Sequence, residues 1–484
     1  MQSDTTYDVV VVGAGTAGIP CAVHAAQGGA RVLLVEKDSK IGGTLHVTGG
    51  HMAAAGTRRQ AEHGIEDSPQ AHLEDIRRIS QGTARDDLIR IVAEHAADTV
   101  DWLAERGFAF APETPRIVYG HEPYTVARTY YGKDEGLSIL EVLRPELERT
   151  QESYDLTVWT DAVVGELRTG DDGGVIGVSV LRAGSEVEVD ADAVVLATGG
   201  YAADAELFEE LEHAPLVSAA ARTSTGDGLH LGLAAGARLQ GAGTHLPTFG
   251  GLPDPRNPNR ANWSDRQRLT SERPPREIYV DRHGRRWVAE DEESIDEKER
   301  ALTRIAEQTF WTVFDDAALS LSTGGMNQMV VGQEPDDVRA MVDTRPGLHS
   351  AATLEELARA AGIDEAGLVQ TVAGYNRAVA EGHDPDFGRT YLPAPIAAPP
   401  FYAIRNHAIT LVTFQGLDID ASFGVRDEAG EVIAGLYAVG EVIGAGATCG
   451  NSFCSGMLVT PALTFGRLLG ARLADAQARA QAYS

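Results

Sequence analysis

Hydrophobic positions gather into short unbroken runs that are separated by long mixed stretches. Residues Tyr7–Val12, YDVVVV, form a continuous β-branched run, and ARVLLVE follows from Ala30 after an alanine-rich segment of helical character. Strand, helix and strand in that order predict a βαβ unit at the start of the chain. Two further runs with the character of buried parallel strands come far downstream, ADAVVLAT at Ala191–Thr198 and GLYAVG at Gly435–Gly440. One sheet assembled from both ends of the chain, and so a discontinuous domain, is the expectation.

Composition shifts between these ends. GGLPDPRNPNRANWSDRQ is turn-rich, AEDEESIDEKER is a charge run, and LPAPIAAPP closes the segment. The expected fold class is α/β: a discontinuous dinucleotide-binding domain over residues 1–251 and 396–484, with an α+β cap inserted at 252–395. The acidic run Glu290–Glu299 reads as a solvated helix face.

Charge removes several classes of function. Asp and Glu number 71 against 41 Lys and Arg, a formal charge of -30, which repels a phosphate backbone and argues against nucleic acid as a partner. The first residues lack a leader pattern and no run approaches the ~18 apolar residues of a membrane span, so a soluble cytoplasmic protein is expected. Three cysteines, Cys21, Cys449 and Cys454, show no metal-ligand spacing, and neither an iron–sulfur cluster nor attached haem is predicted. Cys449 and Cys454 read as small packing residues, because no local cation lowers a thiol pKa.

Candidate chemistry begins where the first run ends, at Gly13-Ala14-Gly15-Thr16-Ala17-Gly18. Gly13 permits a tight turn, Gly15 lets a pyrophosphate approach the backbone, and Gly18 lets helix and strand pack closely. Glu36 ends the second run, 18 positions beyond Gly18, where a carboxylate can accept hydrogen bonds from ribose hydroxyls. NAD and FAD share this fingerprint.

Three further stretches separate the two cofactors. EKDSKIGGTLHVTGGHMAAAG (Glu36–Gly56), VVLATGGYAAD (Val194–Asp204) and GLYAVGEVIGAG (Gly435–Gly446) resemble the flavin-contacting motifs of the succinate dehydrogenase/fumarate reductase flavoprotein family, which includes the 3-ketosteroid dehydrogenases. The resemblance implies a Rossmann-like FAD-binding domain. It places Gly42, Gly43 and Thr44 along the pyrophosphate and flavin, Ala197, Thr198 and Gly199 on the adenine side, and Glu441 on the ribityl hydroxyls. It further assigns Thr16, Ala17, Lys37, Gly49, Gly50, Asp227, Gly440, Ser455, Met457 and Leu458 to the cofactor. His46 does not match the spacing of covalent attachment, so FAD is expected to be non-covalent. No second G-x-G-x-x-G follows a strand, so electrons are expected to pass to or from an external acceptor or donor. Thr460-Pro461 suits the start of a helix, Thr as cap and Pro at the first position, with a start nearer Met457 as the alternative.

The same resemblance frames the substrate. Fumarate reductases hold two carboxylates with cations, and four positions of that clamp are readable. Tyr130 stands for a His in Arg128-Thr129-Tyr130, Leu411-Val412-Thr413 keeps only the threonine of a His-His-Thr segment, and Ser294 falls where a proton-donating Arg is expected. No basic residue occurs from Gly440 to Gly466. The implied pocket is rimmed by Tyr130, Tyr131, Thr413, Asn451, Ser452 and Phe453 and suits a cyclic or hydrophobic small-molecule ketone. Tyr130, Tyr131 and Ser452 are the catalytic candidates. Arg128, Thr413, Asn451 and Phe453 are the substrate-binding candidates, although packing for the tyrosines and a structural ion pair for Arg128 are open. The tail CSGMLVTPALTFG is similar to that of 3-ketosteroid dehydrogenases. The expected reaction is α,β-desaturation of a ketone; reduction of an enone or unsaturated acid, or service as an electron-transferring subunit, are the alternatives.

Overall fold

The computed structural model describes residues 6–254, 256–267, 269, 273–342 and 344–483. The first five residues, on which the leader expectation partly rests, lie outside them. Two sheets organise the chain. The larger has eight strands, and its central order is Gly424–Arg426, Val432–Ala438, Ser185–Leu196, Thr6–Val12, Val32–Val35 and Leu156–Trp159. All of these neighbours are parallel except the first pair. The four hydrophobic runs of the sequence are adjacent strands here, as buried parallel strands require.

Register explains why a site forms where it does. Val12 pairs with Val35 on one side and Leu196 on the other, and Leu196 pairs with Ala438. The residues that follow, Gly13, Glu36, Ala197 and, after Val439, Gly440, therefore emerge together at the carboxyl edge of one sheet, where doubly wound folds bind ligands.

The helix Gly18–Gln27 covers one face of this sheet and is covered in turn by the last helix, Val459–Tyr483. Their contact is close because small residues face each other. A Cβ on Gly466 would lie 2.2 Å from the Ala17 carbonyl, and one on Gly470 would lie 2.3 Å from that of Cys21. The helix begins at Val459, and the Thr460 hydroxyl accepts the Ala53 N–H at 2.8 Å rather than capping its own helix. The cap expected from Thr460 is thus corrected: the hydroxyl ties the helix start to a neighbouring strand.

The second sheet is antiparallel, ordered Thr248–Phe249, Phe401–Ile409, Thr309–Asp315 and Ile278–Val280, with Leu348–Ala351 also paired to Phe401–Ile409. It therefore reaches past the expected boundaries 252–395 on both sides. The turn-rich stretch forms a hairpin, Gly251–Asp254 with Asn257–Arg266. The acidic run also differs from expectation. Glu290, Asp296 and Glu299 are buried, because Glu290 is paired with Arg286 and Arg389 and the other two face His121. Among the described residues, no helix is long and apolar enough to cross a membrane.

Candidate cofactor and substrate site

A cavity of about 340 Å³ opens at the carboxyl edge of the large sheet. Its walls are the glycine turn after the first strand, Glu36 and Lys37 after the second, Ala197–Gly199 after the third and Gly440–Glu441 after the fourth. The three glycines of the turn behave differently. A Cβ on Gly13 would meet the Ala197 carbonyl at 2.5 Å, and one on Gly18 would meet the Gly13 carbonyl at 1.8 Å, whereas Gly15 has nothing within 4 Å on that side. Gly13 and Gly18 serve packing; Gly15 leaves the backbone open toward the cavity.

Acidic groups are fixed by backbone donors. Glu36 Oε2 accepts the Ala14 N–H at 2.8 Å and Oε1 accepts that of Asp38 at 2.9 Å, which orients the carboxylate at the cavity wall. Lys37 Nζ bonds Thr225 Oγ1 at 2.5 Å and Asp227 Oδ2 at 2.7 Å. Desolvation pushes the Asp227 carboxyl up, and hydrogen bonds from Lys37 and Thr225 outweigh it to leave the pKa lowered. Glu441 is held by the Thr413 N–H at 3.0 Å and hydroxyl at 3.2 Å, while burial raises its carboxyl. Thr413 is therefore a support for Glu441.

The remaining cofactor candidates divide. Thr16, Ala17, Gly43, Thr44, Gly49, Thr198, Asp227 and Leu458 line the cavity. Gly42, Gly50, Ser455 and Met457 lie outside its lining. Gly42 donates its N–H to the Ala14 carbonyl at 2.8 Å, and Gly50 packs on the Glu135–Gly136 backbone. Ser455 shares a hydrogen bond with Thr129 Oγ1 at 3.1 Å, and Met457 is buried, its carbonyl accepting from the Thr448 hydroxyl. Sequence reasoning missed Ala219–Ala221 and Ala445 as lining residues, whereas Leu411 and Val412, which it aligned with the two histidines of the family's clamp, line the cavity with aliphatic side chains. The sequence signal of the alanines is weak, since small residues in loops have no motif.

The catalytic candidates fare less well. Tyr130 is fully buried, pairs with Met52 in a short strand and places its hydroxyl 2.6 Å from Thr57 Oγ1. Burial pushes this phenol up, against a role as base, and it lies outside the cavity lining. Ser452 is also buried: its hydroxyl donates to the Ile79 carbonyl at 2.8 Å and accepts from Arg300 at 3.2 Å. Arg128 is committed to Asp67 at 2.8 Å and Asp75 at 3.0 Å, with neither the cation nor its partners exposed. The expectations for Tyr130 and Ser452 are corrected, and for Arg128 it is the structural ion pair that forms; in all three a partner supplied from residues 54–79 occupies the polar group.

Tyr131 keeps a partly exposed hydroxyl, bonded to Glu113 at 2.9 Å, and its ring lies 5.0 Å from that of His51. Burial lowers the His51 pKa, keeping its imidazole neutral, and a Cβ on the cavity-lining Gly49 would sit 3.8 Å from this ring. Asn451 gives its carbonyl to Arg300, and Phe453 packs 4.8 Å from His121 and 5.6 Å from Phe414. Arg467, the first basic residue of the tail, is turned away toward Thr99 and Trp102, and burial lowers its pKa to about 10. A cavity with fixed carboxylates and an open glycine backbone on one part of its wall and apolar side chains on another fits a flavin dinucleotide.

Residues 8–458 match the FAD binding domain family. The chain is 30% identical to a fumarate reductase (cytochrome) of Shewanella frigidimarina, over 96% of this chain and 76% of that protein. It is 28% identical to a vinyl phenol reductase of Lactiplantibacillus plantarum, over 90% and 89%. Among solved structures, a 3-ketosteroid-Δ4-(5α)-dehydrogenase from Rhodococcus jostii RHA1, in complex with 4-androstene-3,17-dione, superimposes with a TM-score of 0.71 at 26% identity, covering 97% of each chain.

Proposed function

The chain belongs to the FAD binding domain family and is an FAD-dependent oxidoreductase of the fumarate reductase and ketosteroid dehydrogenase kind; from that premise we propose that its substrate is a cyclic or hydrophobic ketone, desaturated beside its carbonyl. One observation carries this reading. Among the described residues that line the cavity, Lys37 is the only basic one, and it is bound to Asp227 and Thr225. A dicarboxylate whose negative charge grows in the transition state needs opposing cations, and this wall offers none free.

Bound FAD supplies the hydride acceptor for CH–CH oxidation. The chain's own residues bind, orient and dry the site. Glu36 would receive ribose hydroxyls, the open Gly15 backbone would take the pyrophosphate, and Glu441, propped by Thr413, would receive hydroxyls of the linking chain. Leu411, Val412, Ala445 and Leu458 form an apolar wall suited to ring carbons. Of the two candidate tyrosines, Tyr131 is the half-exposed one; burial and its hydrogen bond to Glu113 push its phenol up, so its proposed part is to donate a hydrogen bond to the ketone carbonyl and not to act as base. His46 Nε2 is 2.9 Å from the Ile41 carbonyl and lies outside the cavity lining, which favours non-covalent FAD.

The test is anaerobic loss of oxidised-flavin absorbance on adding saturated cyclic ketones, with succinate as control. Bleaching by a ketone and not by succinate is expected; bleaching by succinate alone would overturn the reading. The relatives named as reductases favour a second reading, the same bond chemistry run toward saturation by an external donor, and reoxidation of the reduced protein by enones would reveal it.

A further inference from the structure

The helix Ile295–Leu302 and the loop around His121 bring three donor atoms to one place. His121 Nδ1 lies 3.2 Å from Asp296 Oδ1 and 3.7 Å from Glu299 Oε2, and all three atoms fall within 4.8 Å of one another. Asp296 and Glu299 share a helix face because they are three positions apart. Ser294 fixes that face: its hydroxyl caps the helix by accepting the Glu297 N–H at 3.0 Å, and it also donates to Glu122, the residue after His121. The outer carboxylate oxygens are held too. Asp296 Oδ2 accepts the Phe453 N–H at 3.2 Å, and Glu299 Oε1 accepts the Phe249 N–H at 3.1 Å. Glu299 Oε2 is the exception, an oxygen of a side chain 1% exposed that faces the cluster without a hydrogen-bond partner.

We propose that His121, Asp296 and Glu299 bind a divalent transition cation of the zinc type. One imidazole and two carboxylates are a donor set that such ions accept, leaving further positions for water or another ligand. Donors on a tetrahedral shell with bonds of about 2.1 Å stand about 3.4 Å apart, close to the two separations found. Orphaned buried oxygens are costly, and an ion meets the need of Glu299 Oε2 while neutralising two buried carboxylates. The N–H groups of Phe453 and Phe249 act as outer partners that aim the ligands.

Location gives the ion its task. His121 belongs to the segment leading into Arg128, Asp296 and Glu299 belong to the chain inserted between the halves of the large sheet, and Phe453 belongs to the loop before the last helix. The His121 ring lies on Phe453, whose own cluster includes Val412, Ala445 and Leu458 of the cavity wall. An ion here latches the inserted segment to the apolar end of the cavity.

The experiment uses flavin-loaded protein dialysed against a chelator and then titrated with ZnCl2 by calorimetry, beside Glu299→Gln and His121→Gln. One saturable site per chain in the unaltered protein, weakened at least tenfold in each folded variant, is the expected result. Absence of a saturable site in the unaltered protein overturns the proposal, as does equal affinity in the variants. The unaltered protein decides alone if a variant does not fold, since metal content by mass spectrometry before dialysis must then show about one ion per chain.

Discussion

Lys37 Nζ sits 2.7 Å from Asp227 Oδ2, joining the end of the second strand to the first turn of the helix Asp227–Ala234. The pair occupies the positive charge that the cavity lining carries, on the residue next in the chain to the acidic Glu36. Lys37→Met should therefore loosen FAD several-fold and leave the preference for ketone over succinate unchanged. Flavin retained through gel filtration, followed by bleaching of what remains, measures both; altered substrate preference would place the cation at the substrate.

Glu36→Ala removes an acceptor that orients the Ala14 and Asp38 N–H groups and faces the cavity. The expected loss is at least tenfold in FAD affinity, about 1.4 kcal/mol. Flavin fluorescence on titrating apoprotein reports it.

Tyr130→Phe should leave the rate of flavin reduction by substrate within about twofold and lower stability by about 1 kcal/mol, the usual worth of one buried hydrogen bond such as that to Thr57. Stopped-flow absorbance and urea unfolding separate the two effects. A rate loss beyond tenfold would return Tyr130 to the reaction.

Arg128→Met leaves Asp67 and Asp75 buried without their cation. Loss of a buried charge partner costs about 3–5 kcal/mol, so the thermal midpoint should fall sharply with or without substrate present. If the variant keeps its midpoint and loses only substrate affinity, Arg128 binds substrate after all.

Acid should destabilise the fold before most carboxylates titrate. Burial lowers His24 and His407 to about 4 and His72 to about 3, and neither ring nitrogen of His72 has a hydrogen-bond partner. The unfolded chain, with histidines near 6.5, then binds more protons than the folded one as pH falls from about 6.5 toward 4. Stability present above 6.5 is lost across that window. Calorimetry between pH 7.5 and 5 should show a falling midpoint, and His72→Leu should flatten the fall; an unchanging midpoint in the natural protein would refute it.

Much of the cofactor end was legible because its determinants are local. Gly13, Gly15 and Gly18 answer to one turn, and Glu36 to the end of one strand. The failures share a different cause. Nothing beside Arg128 announces Asp67 and Asp75, some fifty to sixty residues earlier, and nothing in Glu290–Glu299 distinguishes a solvated acid from one facing His121 or Arg389. A count of charges records how many there are and not which opposite charge the fold delivers to them. Ser452 and Tyr130 were misplaced for the same reason: each hydroxyl is taken by a group that only the tertiary arrangement supplies.

The place of Val432–Ala438 between Gly424–Arg426 and Ser185–Leu196 has a consequence for biosynthesis. Gly440, which with Glu441 ends the opposite wall, is made 427 residues after Gly13 (440 − 13). At roughly 5–20 residues per second, roughly 20 to 90 seconds separate their emergence from a ribosome. Through that interval the glycine turn has no opposite wall, so the pocket closes only once residues 432–441 are made, and nascent chains released before residue 432 carry the fingerprint without the pocket.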